Sequence, residues 1–186
     1  MTKGLRFVEN ISSLSKSEFE TLTKDLNSPF INYDFLSSLE LSKCVTSLTG
    51  WQPNHLISNE NNKLNGFMPL YLKDNSQGEF VFDHSWSYAL NRAGRKYYPK
   101  LLSAIPFTPC ESEKIIGNKL NNLFIKEVIE FMNLNKIETW HILFPDKNLK
   151  GDLRENNFIE RNGYKFVWKN KGYDTFEDYL NIFFFF

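Results

Sequence analysis

Apolar positions change their spacing along the chain, and the changes divide it into elements. "LRFVEN" near the start reads as a short strand. "SKSEFETLTKDLN" reads as a helix, with Ser15 as N-cap and Glu18 three residues on, a capping box. "SPFINYDFLSSLELSKCV" predicts a second helix with Phe35, Leu36, Leu39 and the stem of Lys43 on one face. The period then shortens to two. "HLISNE" and "LNGFMPLYLK" are predicted strands separated by the turn signal "NENN", and "GEFVFD" is predicted to pair antiparallel beside the second of them. "KYYPKLLSAIPF" continues extended, with Pro99 and Pro106 marking gaps in the ladder. "NKLNNLFIKEVIEFMNLN" is the clearest helix: Leu120, Phe124, Val128 and Phe131 recur at helical spacing, widened by Leu123 and Ile125. A buried strand "IETWHILFP", a short helix "LRENNFI", a strand "GYKFVWKNKGY" and a final helix begun by Asp174 or Thr175 complete the reading.

This order predicts an α/β fold, a mixed and mostly antiparallel sheet with flanking helices, and it resembles the element order of a GNAT-type acetyltransferase lobe. No repeat, low-complexity linker or Pro/Gly-rich boundary divides the chain, so residues 1–186 are expected to form a single lobe. Lys+Arg and Asp+Glu both number 22, so there is no net field to draw a nucleic acid or an anionic membrane. Aromatic residues make up 16%, and 18 of them are Phe, which predicts a core built largely from rings. Cys44 and Cys110 have no partner at metal-binding spacing and are expected to be reduced thiols, at least one of them buried. The start lacks a signal-peptide pattern and no window reaches membrane-span length, so a cytoplasmic protein is expected.

The densest chemistry lies in "GFMPLYLKDNSQGEFVFDHSWSYALNRAGRKYYPKLLSAIPFTPC". Met68 to Lys73, Gly78 to Asp83 with Trp86, Tyr97 to Leu101, and Pro106 to Pro109 stand there in an order that resembles the FemAB-like, peptidoglycan-biosynthesis-related N-acyltransferases. "HILFP" and "WKNKGYDTFEDYL" extend the resemblance over about residues 50 to 182. The resemblance implies transfer of an acyl or aminoacyl group to a small-molecule or peptide amine, from acyl-CoA or aminoacyl-tRNA as donor substrate, on a fold of two related lobes. It also implies a second lobe beyond this one. Phe183 to Phe186 stand where that lobe would begin, and the expectation is a truncated reading frame, with the exposed rings driving self-association.

Within this stretch Asp83 and His84 follow an apolar run. His84 is a candidate to take a proton from an attacking amine, with Asp83 orienting it or binding the amine. The alternative is that Asp83 caps a helix starting near Ser85 and His84 is a loop residue. Trp86 is a candidate substrate contact. In "KYYPK", Tyr98 is a candidate acid for the leaving group and Lys100 a candidate phosphate or carboxylate holder; alternatively one Tyr packs into the sheet and the lysines are solvated. Thr108, between two prolines, is a candidate donor-strand contact. His141 alternates with apolar neighbours and reads as a satisfied sheet histidine, and no His–carboxylate set has metal-ligand spacing. The turn "ESEKIIGNK" has one Gly and two acids, a poor phosphate cradle, which favours the rival expectation of a non-catalytic scaffold or binding lobe.

Overall fold

The computed structural model describes residues 4–26, 28–164 and 166–183. Two small sheets share one helix. Strand β1 (Gly4–Val8) pairs with β3 (His55–Glu60), which forms a hairpin with β4 (Lys63–Met68), all antiparallel. The hairpin turns at Asn61 and Asn62, both at positive φ, the conformation that a two-residue turn requires and Asn tolerates. The second sheet has the order β2 (Gln52–Pro53), β5 (Tyr71–Lys73), β6 (Lys100–Ser103) and β7 (Trp140–Ile142), antiparallel except for the parallel pair β6–β7.

Alternation along β3 and β4 explains the layers of the first sheet. Leu56 and Met68 face helix α4 (Asn121–Asn135), where Phe124, Ile125 and Val128 are buried. Ile57 and Phe67 face α1 (Lys16–Thr23) and α2 (Tyr33–Leu41), meeting Phe19 and Leu36. The two helices start where the side chains say: Ser15 accepts from the Glu18 amide, and Asn32 accepts from the amides of Asp34 and Phe35. Helix α4 also covers one face of the second sheet, packing on Leu101 and Trp140. The other face carries Tyr71, Lys73, Lys100 and Leu102.

Several expectations are corrected. "LNGFMPLYLK" is two strands in different sheets, because Pro69 cannot donate to a ladder and the next amide, of Leu70, donates to His55 Nδ1 instead. "GEFVFD" is not a strand: Glu79 and Asp83 turn inward while Phe80 and Phe82 are 61% and 82% exposed, the reverse of what apolar alternation predicts. "GYKFVWKNKGY" pairs with no strand among its described residues and lies exposed; its period of two has no neighbouring ladder to join. The helix expected at "LRENNFI" begins earlier, as α5 (Lys147–Glu155), because Asp146 caps it through the Asn148 amide. Cys44 is exposed and Cys110 half-buried, both free, so neither is a core thiol. Two further helices are α3 (His84–Arg92) and α6 (Phe176–Asn181), the latter started by Thr175 in a capping box with Asp178. Phe184 to Phe186 lie outside the described residues.

Gly66 on β4 sets the approach of α4: a methyl group there would stand 2.3 Å from Leu120 Cδ1 and 3.0 Å from Phe124 Cζ. Gly66→Ala is therefore expected to destabilise the chain by about 1–3 kcal/mol in urea denaturation, the usual cost of overpacking.

Candidate active site

The polar face of the second sheet is closed over by residues 74–83 and by the tyrosines that precede β6. Cross-strand pairing sets Lys73 directly opposite Lys100, and both side chains are fully buried. Two buried ammonium groups demand buried anions. Glu79 and Asp83 supply them, because the chain between β5 and α3 abandons regular structure and turns these two side chains inward.

Lys100 Nζ uses all three protons, donating to Ser76 Oγ at 2.8 Å, Glu79 Oε2 at 2.9 Å and Asp83 Oδ2 at 2.5 Å. The same Asp83 oxygen accepts from Ser76 Oγ at 2.8 Å and from Tyr97 Oη at 2.5 Å. Tyr98 Oη lies 2.7 Å from Ser76 Oγ, and His141 Nε2 lies 3.2 Å from Tyr97 Oη. Lys73 donates to the Gln77 carbonyl and stacks 3.8 Å over the Trp51 ring. One carboxylate oxygen thus collects three donors, while Asp83 Oδ1 and Glu79 Oε1 are buried without a protein partner.

These contacts split the two acids. Burial by itself would raise the Asp83 carboxyl, but the hydrogen bonds from Lys100, Tyr97 and Ser76 outweigh it and hold it at about 2. Glu79 goes the other way: burial raises its carboxyl against the attraction of Lys100. Burial lowers Lys73 to about 8, and burial with the nearby Lys100 charge lowers His141 to about 4, so that ring is neutral at pH 7. The Tyr97 phenol is pushed up by burial and by its bond to Asp83.

Of the residues predicted from sequence, Asp83, Tyr98 and Lys100 meet through Ser76. Asp83 occupies the N-cap position of α3 but makes no capping bond; its side chain turns to Lys100. Lys100 is neither solvated nor free to hold a phosphate or carboxylate, since it is buried and its three protons are committed inside the protein. His84 is exposed on α3 and makes no bond to Asp83, so it is not the base of an Asp–His pair. Trp86 is 41% exposed and carries the Arg161 guanidinium 5.6 Å over its ring. Thr108 bonds the Pro106 carbonyl in its own loop rather than this cluster. Ser76, Glu79, Tyr97 and Lys73 are the residues that sequence reasoning missed; the signal was the pair of acids at the ends of "EFVFD", spaced by apolar residues that had every reason to be read as the buried ones.

His141 is a bonded sheet histidine, as its pattern suggests. The fold nevertheless assembles what linear spacing does not show, since ligand atoms of Glu79, Asp83 and His141 lie within 4.8 Å of one another. The Lys100 ammonium already bridges the two carboxylates and supplies the cation.

A family model for FemAB-like proteins, described as peptidoglycan biosynthesis/recognition, matches residues 10–184. The chain belongs to the FemAB-like family. No curated protein matches it. Among solved structures, it is similar to the apo crystal structure of aminoglycoside antibiotic 6'-N-acetyltransferase AAC(6')-IG from Acinetobacter haemolyticus. That protein is 10% identical, with 92% of this chain and 99% of that chain covered, at a TM-score of 0.42, a likeness too loose to carry an inference. No helix of the described FemAB-like chain is long and apolar enough to cross a membrane.

Lys100→Met leaves two buried carboxylates without their cation and is expected to cost about 3–5 kcal/mol in chemical denaturation, with partial recovery when Glu79→Gln and Asp83→Asn are added. No recovery would show that the three groups are not coupled. Asp83 also has a sign in pH. Its depressed carboxyl contributes stability above the ordinary value of 3.8 that is lost as pH falls through about 2. Asp83→Asn should therefore flatten the acid limb of a stability–pH curve over that window.

Proposed function

We propose that this chain is an N-acyltransferase lobe that joins an activated acyl group to an amine. Family membership supports the reaction class, and one observation in the site carries it: a buried, ionised carboxylate, Asp83, is wired through Ser76 to the hydroxyl of half-buried Tyr98. Amine acylation requires the amine to shed a proton and the departing group to gain one, and a tyrosine backed by fixed charge serves both needs. Tyr98 is the group that meets substrate; Asp83, Ser76, Glu79 and Lys100 act through it. Acyl-CoA is the donor that suits this chemistry, with the ester of an aminoacyl-tRNA as the other activated acyl source. The acceptor is a small-molecule or peptide amine. A second lobe that completes the substrate cleft belongs to the same proposal.

The rival is a lobe that binds or supports a partner lobe without turning over. The loop ahead of α4 favours it. Glu111 and Glu113 lie there, and Lys114 is buried, donating to Ser112 and to the Phe144 carbonyl, so its charge is not offered to a donor phosphate.

The two readings separate in a thiol-release assay of the chain with acetyl-CoA and a panel of primary amines. Turnover that Asp83→Asn lowers by about tenfold or more, measured well below the melting temperature of the variant, supports acyl transfer. No thiol release with any amine, together with no aminoacyl transfer from aminoacyl-tRNA, supports the scaffold.

A further inference from the structure

We propose that Tyr98, Ser76 and Asp83 form a proton relay between solvent and the buried Glu79–Lys100–Asp83 triad, with Tyr98 as its outer end. Its use in catalysis rests on the acyl-transfer reading above; its existence as a proton path does not.

Hydrogen-bond direction carries the inference. Ionised Asp83 can only accept, so Ser76 donates its single proton across the 2.8 Å contact. With that proton committed, the 2.7 Å contact between Ser76 and Tyr98 is one in which Tyr98 donates. Lys100 donates to Ser76 at 2.8 Å, and its other two protons go to Glu79 and Asp83. The hydroxyls therefore point inward in series, from Tyr98 to Ser76 to Asp83. Tyr97 and His141 form a second arm onto the same oxygen, with the His141 Nε2 proton turned toward Tyr97 Oη at 3.2 Å. Tyr98 and Ser76 are both half-buried, whereas Glu79, Asp83 and Lys100 are buried; Ser76 Oγ accepts from Tyr98 and Lys100, which fills its lone pairs, while the Tyr98 oxygen keeps its own. Tyr98 is thus where the series of donors meets an incoming group.

The step balances without another reactant. As an amine attacks the thioester carbon, the C–N bond forms and an N–H proton passes to Tyr98 Oη. Tyr98 passes its own proton to Ser76, and Ser76 passes its proton to Asp83. Lys100 releases its Glu79-facing proton to Glu79, and the resulting amine turns its lone pair to Asp83 and takes up the proton there, which restores its charge. The C–S bond then breaks, its electron pair leaves with sulfur, and the same path in reverse returns one proton to the thiolate. Amine and thioester become amide and thiol. Glu79 suits the resting place for the proton, because burial raises its carboxyl while Asp83 is held low.

The relay can be tested without turnover. In the 186-residue chain labelled with 15N-lysine, the Lys100 ammonium is assigned through its side-chain carbons and its proton exchange with water is measured by NMR. Tyr98→Phe should slow that exchange by about tenfold, since it cuts the path at its outer end. Exchange that is unchanged or faster, at an unchanged melting temperature, would overturn the relay. In the thiol-release assay, Ser76→Ala should lower kcat with KM kept and should reduce the solvent isotope effect. An alanine variant that keeps both kcat and the isotope effect would overturn the catalytic use of the relay. If the unaltered chain releases no thiol, the acyl-transfer reading fails, while ammonium exchange still decides the proton path.

Discussion

A lysine at the start of a central strand has to find its counter-charges inside the protein, and much of the second sheet is arranged around that constraint. Lys100 cannot reach water, and an unpaired buried ammonium would cost several kcal/mol. The carboxylates that neutralise it come from one short irregular segment. Bringing Glu79 and Asp83 inward forces Phe80 and Phe82 outward and leaves Phe80 at a φ of 57°, a left-handed conformation that aromatic residues seldom adopt. Unfavourable backbone geometry and exposed rings are the local cost of a satisfied charge.

The rest of the fold holds that cluster in place from behind. Leu101, next to Lys100, points to the opposite face and packs with Leu56, Leu120, Phe124 and Trp140 beneath α4. Gly66 allows the helix to approach, and Trp140 ties itself to β6 through Ser103 Oγ at 3.1 Å. The strand carrying the ion cluster is therefore braced by apolar packing on one face, which leaves its polar face free to be specialised. The contact at 2.9 Å between half-buried Glu40 and buried His55 does comparable work in the first sheet, where His55 Nδ1 accepts the amide freed by the break at Pro69.

Helices and their caps were legible in the sequence, because spacing of three and four apolar residues and a Ser, Asn or Thr before them are local signals. Phe124 and Val128 are core, and Ser15 and Thr175 are caps, as the pattern indicates. The strand at "IETWHILFP" was also legible, since its apolar run has a partner waiting in β6. What period two could not distinguish was a strand from a segment that joins no ladder among its described residues, as at 163–173, or from one whose polar residues face in, as at 79–83. Asp83, Tyr98 and Lys100 could be chosen as site residues because each is a polar group set among rings. Ser76 and Glu79 could not, since an unremarkable serine in a turn and an acid at a presumed strand start acquire meaning only once Lys100 is known to be buried.

Two neighbouring acids are driven apart by one ammonium and a fan of hydroxyls. Side-chain carboxyl 13C NMR, with Asp83 and Glu79 assigned from Asp83→Asn and Glu79→Gln, reads both directly across an acid titration. Asp83 is predicted to remain ionised down to about pH 2, and Glu79 to take up its proton above the ordinary glutamate range. Two carboxyls titrating together near the ordinary value of about 4 would contradict the account, because groups that behave that way are neither buried nor bound to Lys100.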